Sequence, residues 1–228
     1  MKEIVVDKIK ADRTFLPPFC SARGIRVDLV YCQVTAPKWT NTSHIGYALG
    51  LDPGGVNSGL CYLERYWRNG SYNCVLAQIR LPKNLGSVER VYLSVAATGE
   101  ILRHPKFRPV RMTARERLRW NDLLTTEEAL PAYPTRMPCI GTMIEAAAFG
   151  AKFGQTQLAE ARAGMIVALQ GWGKGGTILT LPPASLTKEV LGSGKLKFKE
   201  YFMPELKRYP DGASALGCAL FMFRKFGG

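Results

Sequence analysis

Asp52 and Glu145 each close an apolar run, IGYALGLD at 45–52 and CIGTMIE at 139–145, and Asp211 opens the apolar stretch PDGASALGCALFMFRKF. If the two runs are neighbouring parallel strands, about 4.8 Å apart, their carboxylates meet at one edge and repel unless a cation lies between them. A third carboxylate from a helix starting at Asp211 completes a set of hard oxygen donors that suits Mg²⁺ or Mn²⁺ rather than zinc. Two such ions about 4 Å apart activate a water and stabilise the leaving oxygen in phosphodiester hydrolysis. Each acid also has a plain structural role open to it. Asp52 suits the DPGG turn, Glu145 a solvated strand end, and Asp211 the N-cap of a helix after Pro210.

The elements that must gather these acids follow from the pattern of the chain. Three short apolar runs, IGYALGLD, SGLCYLERYW and YNCVLAQIRL, are bounded by Gly, Asn or Pro and predict an antiparallel meander. Residues 82–110 fit either a further hairpin or a helix, and HPKFRP breaks whichever forms. TARERLRWNDLLTTEEAL, 113–130, predicts a helix capped by Thr113, with Arg115, Arg117 and Arg119 on a solvated basic face. Helices are also predicted at 154–172, at PASLTKEVLG and from Asp211 onward, with a short strand at TILTL. A meander followed by alternating helices and strands implies an α/β sheet of mixed direction. Residues 1–43, with one alternating stretch at GIRVDLVYCQV, read as an N-terminal extension packed on a main domain of 44–228.

The 228 residues carry 31 Lys and Arg against 18 Asp and Glu, a net charge of +13. Such a balance favours a polyanionic partner, nucleic acid first, through long-range attraction and counterion release. No apolar run approaches the roughly 18 residues that span a bilayer, so a soluble protein without a membrane partner is expected. Cys20, Cys32, Cys61, Cys74, Cys139 and Cys218 show no CxxC or paired spacing and read as reduced, buried thiols of a cytoplasm-like compartment.

Four blocks in order carry a resemblance. GLDPGGVNSGLCYLE resembles the first motif of the RuvC family of Holliday-junction resolvases, and MIEAAAFGAKFGQTQLAEARAGMIVAL resembles the second, with Glu145 as its acid and Arg162 in the AR pair. LTKEVLGSGKLKFKEYF is similar to the family's lysine-bearing block and PDGASALGCAL to its closing motif, so the likeness spans about 45–222. The resemblance implies an RNase H-like fold, a five-stranded mixed sheet flanked by helices on both faces, with an insertion at about 82–112. It also implies a homodimer that nicks four-way DNA junctions symmetrically, with two Mg²⁺ or Mn²⁺ ions held by Asp52, Glu145 and Asp211. The family usually carries another acid one turn after Asp211, where this chain has Ser214, a much poorer ligand on the same helix face. Lys188 and either Lys197 or Lys199 match the family's lysines, whose charge stabilises a developing pentavalent phosphate.

The glycines Gly192 and Gly194 permit close approach of backbone to phosphate, and Lys195 and Lys199 stand beside them as DNA contacts, a solvated basic loop being the other reading. Phe149 and Phe153, with Lys152 between them, and Arg162 are further DNA-contact candidates; the phenylalanines suit a wedge in an opened junction or a place in the core. Ala159, Ala161, Ala163 and Gly164 keep one helix narrow enough for close packing, across a dimer or against the sheet. Two other functions are weighed. A junction-binding protein without turnover is suggested by Ser214, whereas an actin-like kinase lacks its further glycine-rich phosphate loops. The extension and insertion point to a viral or otherwise divergent member acting on DNA in the cytoplasm, at the nucleoid or in a host cell.

Overall fold

The run GYALGLD forms β3 (Gly46–Asp52), buried at every position, because it lies mid-sheet with helices above and below. The computed structural model describes residues 4–12, 15, 17–37, 46–54, 56–65, 71–107, 137, 139–146, 155–172 and 176–226. The basic stretch 113–130 and Phe149, Lys152 and Phe153 lie outside the described residues. Around β3 are β1 (Val5–Asp12), β2 (Arg26–Thr35), β4 (Asn57–Arg65), β5 (Ser71–Arg80), β6 (Cys139–Glu145) and β7 (Ile178–Leu181). They form one sheet in the order β1-β2-β5-β4-β3-β6-β7. The meander β3-β4-β5 is antiparallel, while β6 runs parallel to β3 and β7 parallel to β6.

The sheet has seven strands rather than the five expected. The two additional ones are N-terminal. GIRVDLVYCQV supplies β2, which pairs antiparallel with β5 along its whole length, from Arg26 opposite Arg80 to Thr35 opposite Ser71. Alternation along β2 puts Val27 and Leu29 in the core on one face of the sheet and Val30, Cys32 and Val34 in the core on the other, so pairing there buries apolar surface as well as satisfying the ladder of β5. β1 then forms the outer edge. Its register shifts between Asp7 and Lys10, and Lys8 takes φ 49, a bulge with charged side chains that suits an unpaired edge.

One face of the sheet is covered by α1 (Pro18–Ala22), α2 (Ser87–Arg103) and α3 (Gln155–Trp172). The other carries α4 (Pro183–Leu191), α5 (Phe198–Tyr201), α6 (Met203–Leu206) and α7 (Pro210–Phe226). Within the stretch read as hairpin or helix, Ser87–Arg103 is thus a helix. Leu93, Ala97 and Ile101 recur every four residues on its buried side, which is a helical rather than a strand period. The predicted break is a short 3₁₀ turn, Pro105–Phe107. α3 packs on α2 within the same chain, where Gly164 abuts Val95, while Ala159 and Ala163 stay exposed.

α7 positions the site. Asp211 to Phe223 are all buried, and the small residues Gly212, Ala213, Ser214, Ala215, Gly217 and Ala219 keep its backbone close to the sheet. Strand glycines complete the fit. A Cβ on Gly50 would run into the backbone of Ala215 and Ala219, and one on Gly59 into the backbone of Asp211 and Gly212. Cys74 of β5 lies opposite Cys32 of β2 and its Sγ is 3.6 Å from that of Cys61; all three are buried free thiols.

Gly59→Ala is expected to lower unfolding stability by about 2–3 kcal/mol, the scale of overpacking in a closed core, in urea titration. Gly171→Ala, where a Cβ meets nothing within 4 Å, should be neutral or slightly stabilising. Equal effects at the two positions would contradict the seam between α7 and the sheet.

Candidate active site

A single row of residues crosses the sheet under the start of α7. Asp52 of β3 faces Gly59 of β4, and Gly59 faces Gln78 of β5. Residues opposed in this way share a face, so the missing side chain at Gly59 leaves a slot flanked by Asp52 and Gln78. The first turn of α7 sits in that slot and delivers Asp211. β6 adds the remaining acid: Leu51 pairs in parallel with Ile144, so the strands carrying Asp52 and Glu145 end side by side. The three acids predicted from sequence therefore arrive at one rim of the sheet.

Lys199 enters the same space from α5. Its Nζ lies 2.8 Å from Asp211 Oδ1 and 3.5 Å from Asp52 Oδ2, bridging two of the three acids. The sequence reading made Lys199 a DNA contact. The fold makes it the internal counter-ion of the acids. Ser214, buried one turn along α7, is hydrogen-bonded to Asp52 and supports its ionised form. Asp52 Oδ2 is buried and has no hydrogen-bond partner.

The electrostatics follow from this crowding. Burial pushes the Asp52 carboxyl up to about 6; the Lys199 ammonium opposes the rise and the Asp211 charge adds to it. Burial, then the Asp52 charge, pushes Glu145 up to about 8, again against Lys199. Burial disfavours the Lys199 charge, but Asp52, Asp211 and Glu145 outweigh it and hold its pKa above the ordinary value. Like charges are thus forced together in a poorly solvated place and only partly compensated.

Asp211 is the second residue of α7 and not its cap. Its own N–H and that of Gly212 donate to Gln78 Oε1 at 3.0 and 3.1 Å, and Gln78 Nε2 donates to Asp211 Oδ2. Sequence reasoning passed over Gln78. The available signal was one amide in the otherwise apolar run CVLAQI, on the third strand of a meander whose first strand ends on Asp52.

The remaining candidates scatter. Lys197 is exposed and paired with Glu200 at 3.2 Å, and Lys195 is exposed; both line, with Lys199, Glu145 and Ser214, a cleft of about 570 Å³ beside the acids. Lys188 is exposed on α4 and does not line that cleft. Gly192 ends α4 in the left-handed region, φ 78, its N–H donating to Lys188 O at 3.0 Å. Arg162 is half-buried on α3, its Nε without a hydrogen-bond partner.

No protein-family model matches the chain, and no curated protein does. Solved structures do. A Thermus thermophilus RuvC structure superposes with a TM-score of 0.52 at 16% identity, covering 79% of this chain and 96% of that one. A T. thermophilus RuvC in complex with a Holliday junction substrate gives 0.51 at 18% identity, covering 77% and 92%. The chain has a RuvC-like fold. Strands β5-β4-β3-β6-β7 with helices on both faces make the α/β RNase H-like sheet that the motifs implied, and β1 and β2 lengthen it at the β5 edge.

The donor set was tested for a divalent ion on this geometry. Among the described residues no three His, Cys, Asp or Glu side chains are arranged to hold a metal as they stand, Lys199 bridging Asp52 and Asp211. The chemistry of the set nonetheless fits a hard cation: all its donors are oxygens, one is buried without a hydrogen-bond partner, and a positive group already sits against two of the acids.

Because Asp52 and Glu145 carry raised pKa values, the folded protein binds more protons than the unfolded chain between about pH 4 and 8. Metal-free stability should therefore fall as pH rises through that window. A thermal midpoint lower at pH 8 than at pH 5.5, with a smaller drop in Glu145→Gln, is the expected result. A rise with pH, or an unchanged drop in the variant, would contradict the crowding.

Proposed function

We propose that the protein is a metal-dependent, structure-selective DNA endonuclease that resolves four-way junctions by paired symmetric nicks. The observation that carries this reading is the meeting of Asp52, Glu145 and Asp211 around Lys199 at one rim of a RuvC-like sheet. Asp52, Glu145 and Asp211 would hold two Mg²⁺ or Mn²⁺ ions, with Ser214 steadying Asp52 rather than serving as the ligand that an acid would be. Bound there, such ions supply an activated water and charge stabilisation of the leaving oxygen.

The chain's own groups supply the rest. Lys195, Lys197 and Lys199 border the cleft beside the acids and attract a phosphate to it; the net charge of +13 draws the duplex arms to the surface. Lys199 has acids as its partners in the DNA-free protein, and were a cation held by Asp52 and Asp211 its ammonium would be released to turn toward the phosphate. In that position it stabilises developing negative charge, the role the motif comparison gave to Lys197 or Lys199. Lys188 and Arg162 remain proposed contacts, as do Phe149, Lys152 and Phe153. A homodimer is part of the proposal, since two symmetric nicks need two sites. Val88, Tyr92 and Val167 form an exposed apolar set on the packed pair α2 and α3 that suits a second copy.

A second reading is favoured by two specific observations. Ser214 stands where an acid is usual, and Lys199 neutralises two of the three acids, which suits a junction-binding protein without turnover. One assay separates the readings. A labelled four-way junction with Mg²⁺ or Mn²⁺ should receive paired symmetric nicks, whereas binding without nicks at every metal concentration sinks the enzyme. Asp52→Asn should reduce cleavage about 100-fold or more, the scale of losing one preorganised charge, while leaving junction affinity in place. Affinity should drop steeply with added salt, and a salt-insensitive complex would rule out backbone contacts as its basis.

A further inference from the structure

We propose that Gln78 is a positioning residue that fixes which oxygen Asp211 offers to the site. The inference rests on the metal-dependent reading above. Gln78 is 1% exposed, in the middle of β5's buried stretch, and its amide is used completely in one direction. Oε1 accepts from Asp211 N and Gly212 N at 3.0 and 3.1 Å, and Nε2 donates to Asp211 Oδ2 at 2.5 Å. Two N–H donors on one side and a carboxylate on the other leave the amide a single orientation.

The grip has a directional result. With Oδ2 tied to Gln78, Oδ1 is the oxygen turned to Lys199 Nζ, 2.8 Å away, and that same ammonium is 3.5 Å from Asp52 Oδ2. Gln78 and Asp52 stand on either side of Gly59 in the same cross-strand row. The amide therefore pulls one oxygen of Asp211 away from the acid cluster and presents the other to the point where Asp52 also aims. A cap alone would need only Oε1. The donated Nε2–H bond is what orients the carboxylate.

Two variants separate capping from positioning. Gln78→Met removes both functions at similar size. Gln78→Asn keeps an uncharged amide but is one methylene too short to hold both the two N–H groups and Asp211 Oδ2. In each, four quantities are read: the thermal midpoint in EDTA, Mn²⁺ binding without DNA by isothermal titration, junction affinity in EDTA, and the Mn²⁺ concentration giving half-maximal cleavage. Both variants should bind Mn²⁺ about tenfold or more weakly and need correspondingly more for cleavage, the scale typical of groups that orient metal ligands, with junction affinity unchanged. Gln78→Asn adds no charge to the buried acid cluster and opens only a small gap, so it decides the matter if Gln78→Met does not fold. Unaltered Mn²⁺ binding and half-saturation in a folded Gln78→Met or Gln78→Asn would overturn the assignment and reduce Gln78 to a helix cap. If the unaltered protein neither binds Mn²⁺ nor cleaves, the endonuclease reading itself fails and this assignment goes with it. If it does both and the variants match it, only the role of Gln78 is lost.

Discussion

The bare backbone at Gly59 is the constraint on which the site depends. A helix whose first turn must reach the middle of a sheet needs a strand residue with nothing above it, and Gly59 provides that between Asp52 and Gln78. Gly50, further along the same seam, does the same for Ala215 and Ala219, so α7 is laid on the sheet at two points rather than one. Two contacts fix a direction as well as a distance. The small residues of α7 complete the arrangement, because large ones on that face would lift the helix by more than a hydrogen bond can span.

Once α7 is seated, charge becomes the problem that the fold must solve. Three carboxylates at one rim, two of them with strongly raised pKa values, would be unfavourable to bury without compensation. Lys199 answers part of this through its contacts with Asp211 and Asp52, and its own raised pKa shows that the acids hold it in return. The compensation is incomplete: Asp52 Oδ2 lacks a hydrogen bond, and Glu145 is held among like charges. A structure stabilised for its own sake would satisfy these groups, and residual strain of this kind gathers where a ligand is to be received.

Much of this was legible from the chain, and the parts that were not have physical reasons. The acids could be read because a carboxylate closing an apolar run conflicts with burial, and that conflict is local in sequence. The meander, α3, α4 and α7 follow from period and turn residues, while the parallel pairing of β3 with β6 was the condition the acids required rather than something a local pattern encodes. The strand count was not legible. β1 is exposed at most positions, with a bulge at Lys8, so its membership of the sheet shows only through pairing with β2, a contact no local pattern encodes. Asp211 was legible as a site acid, but the partner of its backbone and second oxygen was not, because Pro-Asp at a helix start looks alike whether its oxygen turns back to the helix or out to a partner. Gln78 was passed over, and Lys199 was named without its acid partners, for the same reason, since these contacts join residues 133 and 12 apart in the chain.

The sulfurs carry a consequence of their own. Cys32, Cys61 and Cys74 line up across three adjacent strands, and burial leads in keeping Cys61 and Cys74 in the thiol form, while the hydrogen bond that Cys32 donates to Cys74 and then burial do so for Cys32. A crosslink would need a thiolate as nucleophile, two sulfurs closing from 3.6 Å to about 2.05 Å, and an oxidant admitted between packed strands. None of these is on offer in the folded molecule, so its interior sulfur is indifferent to the oxidation state of the surrounding solution, and prolonged storage in air should leave the sheet chemically intact.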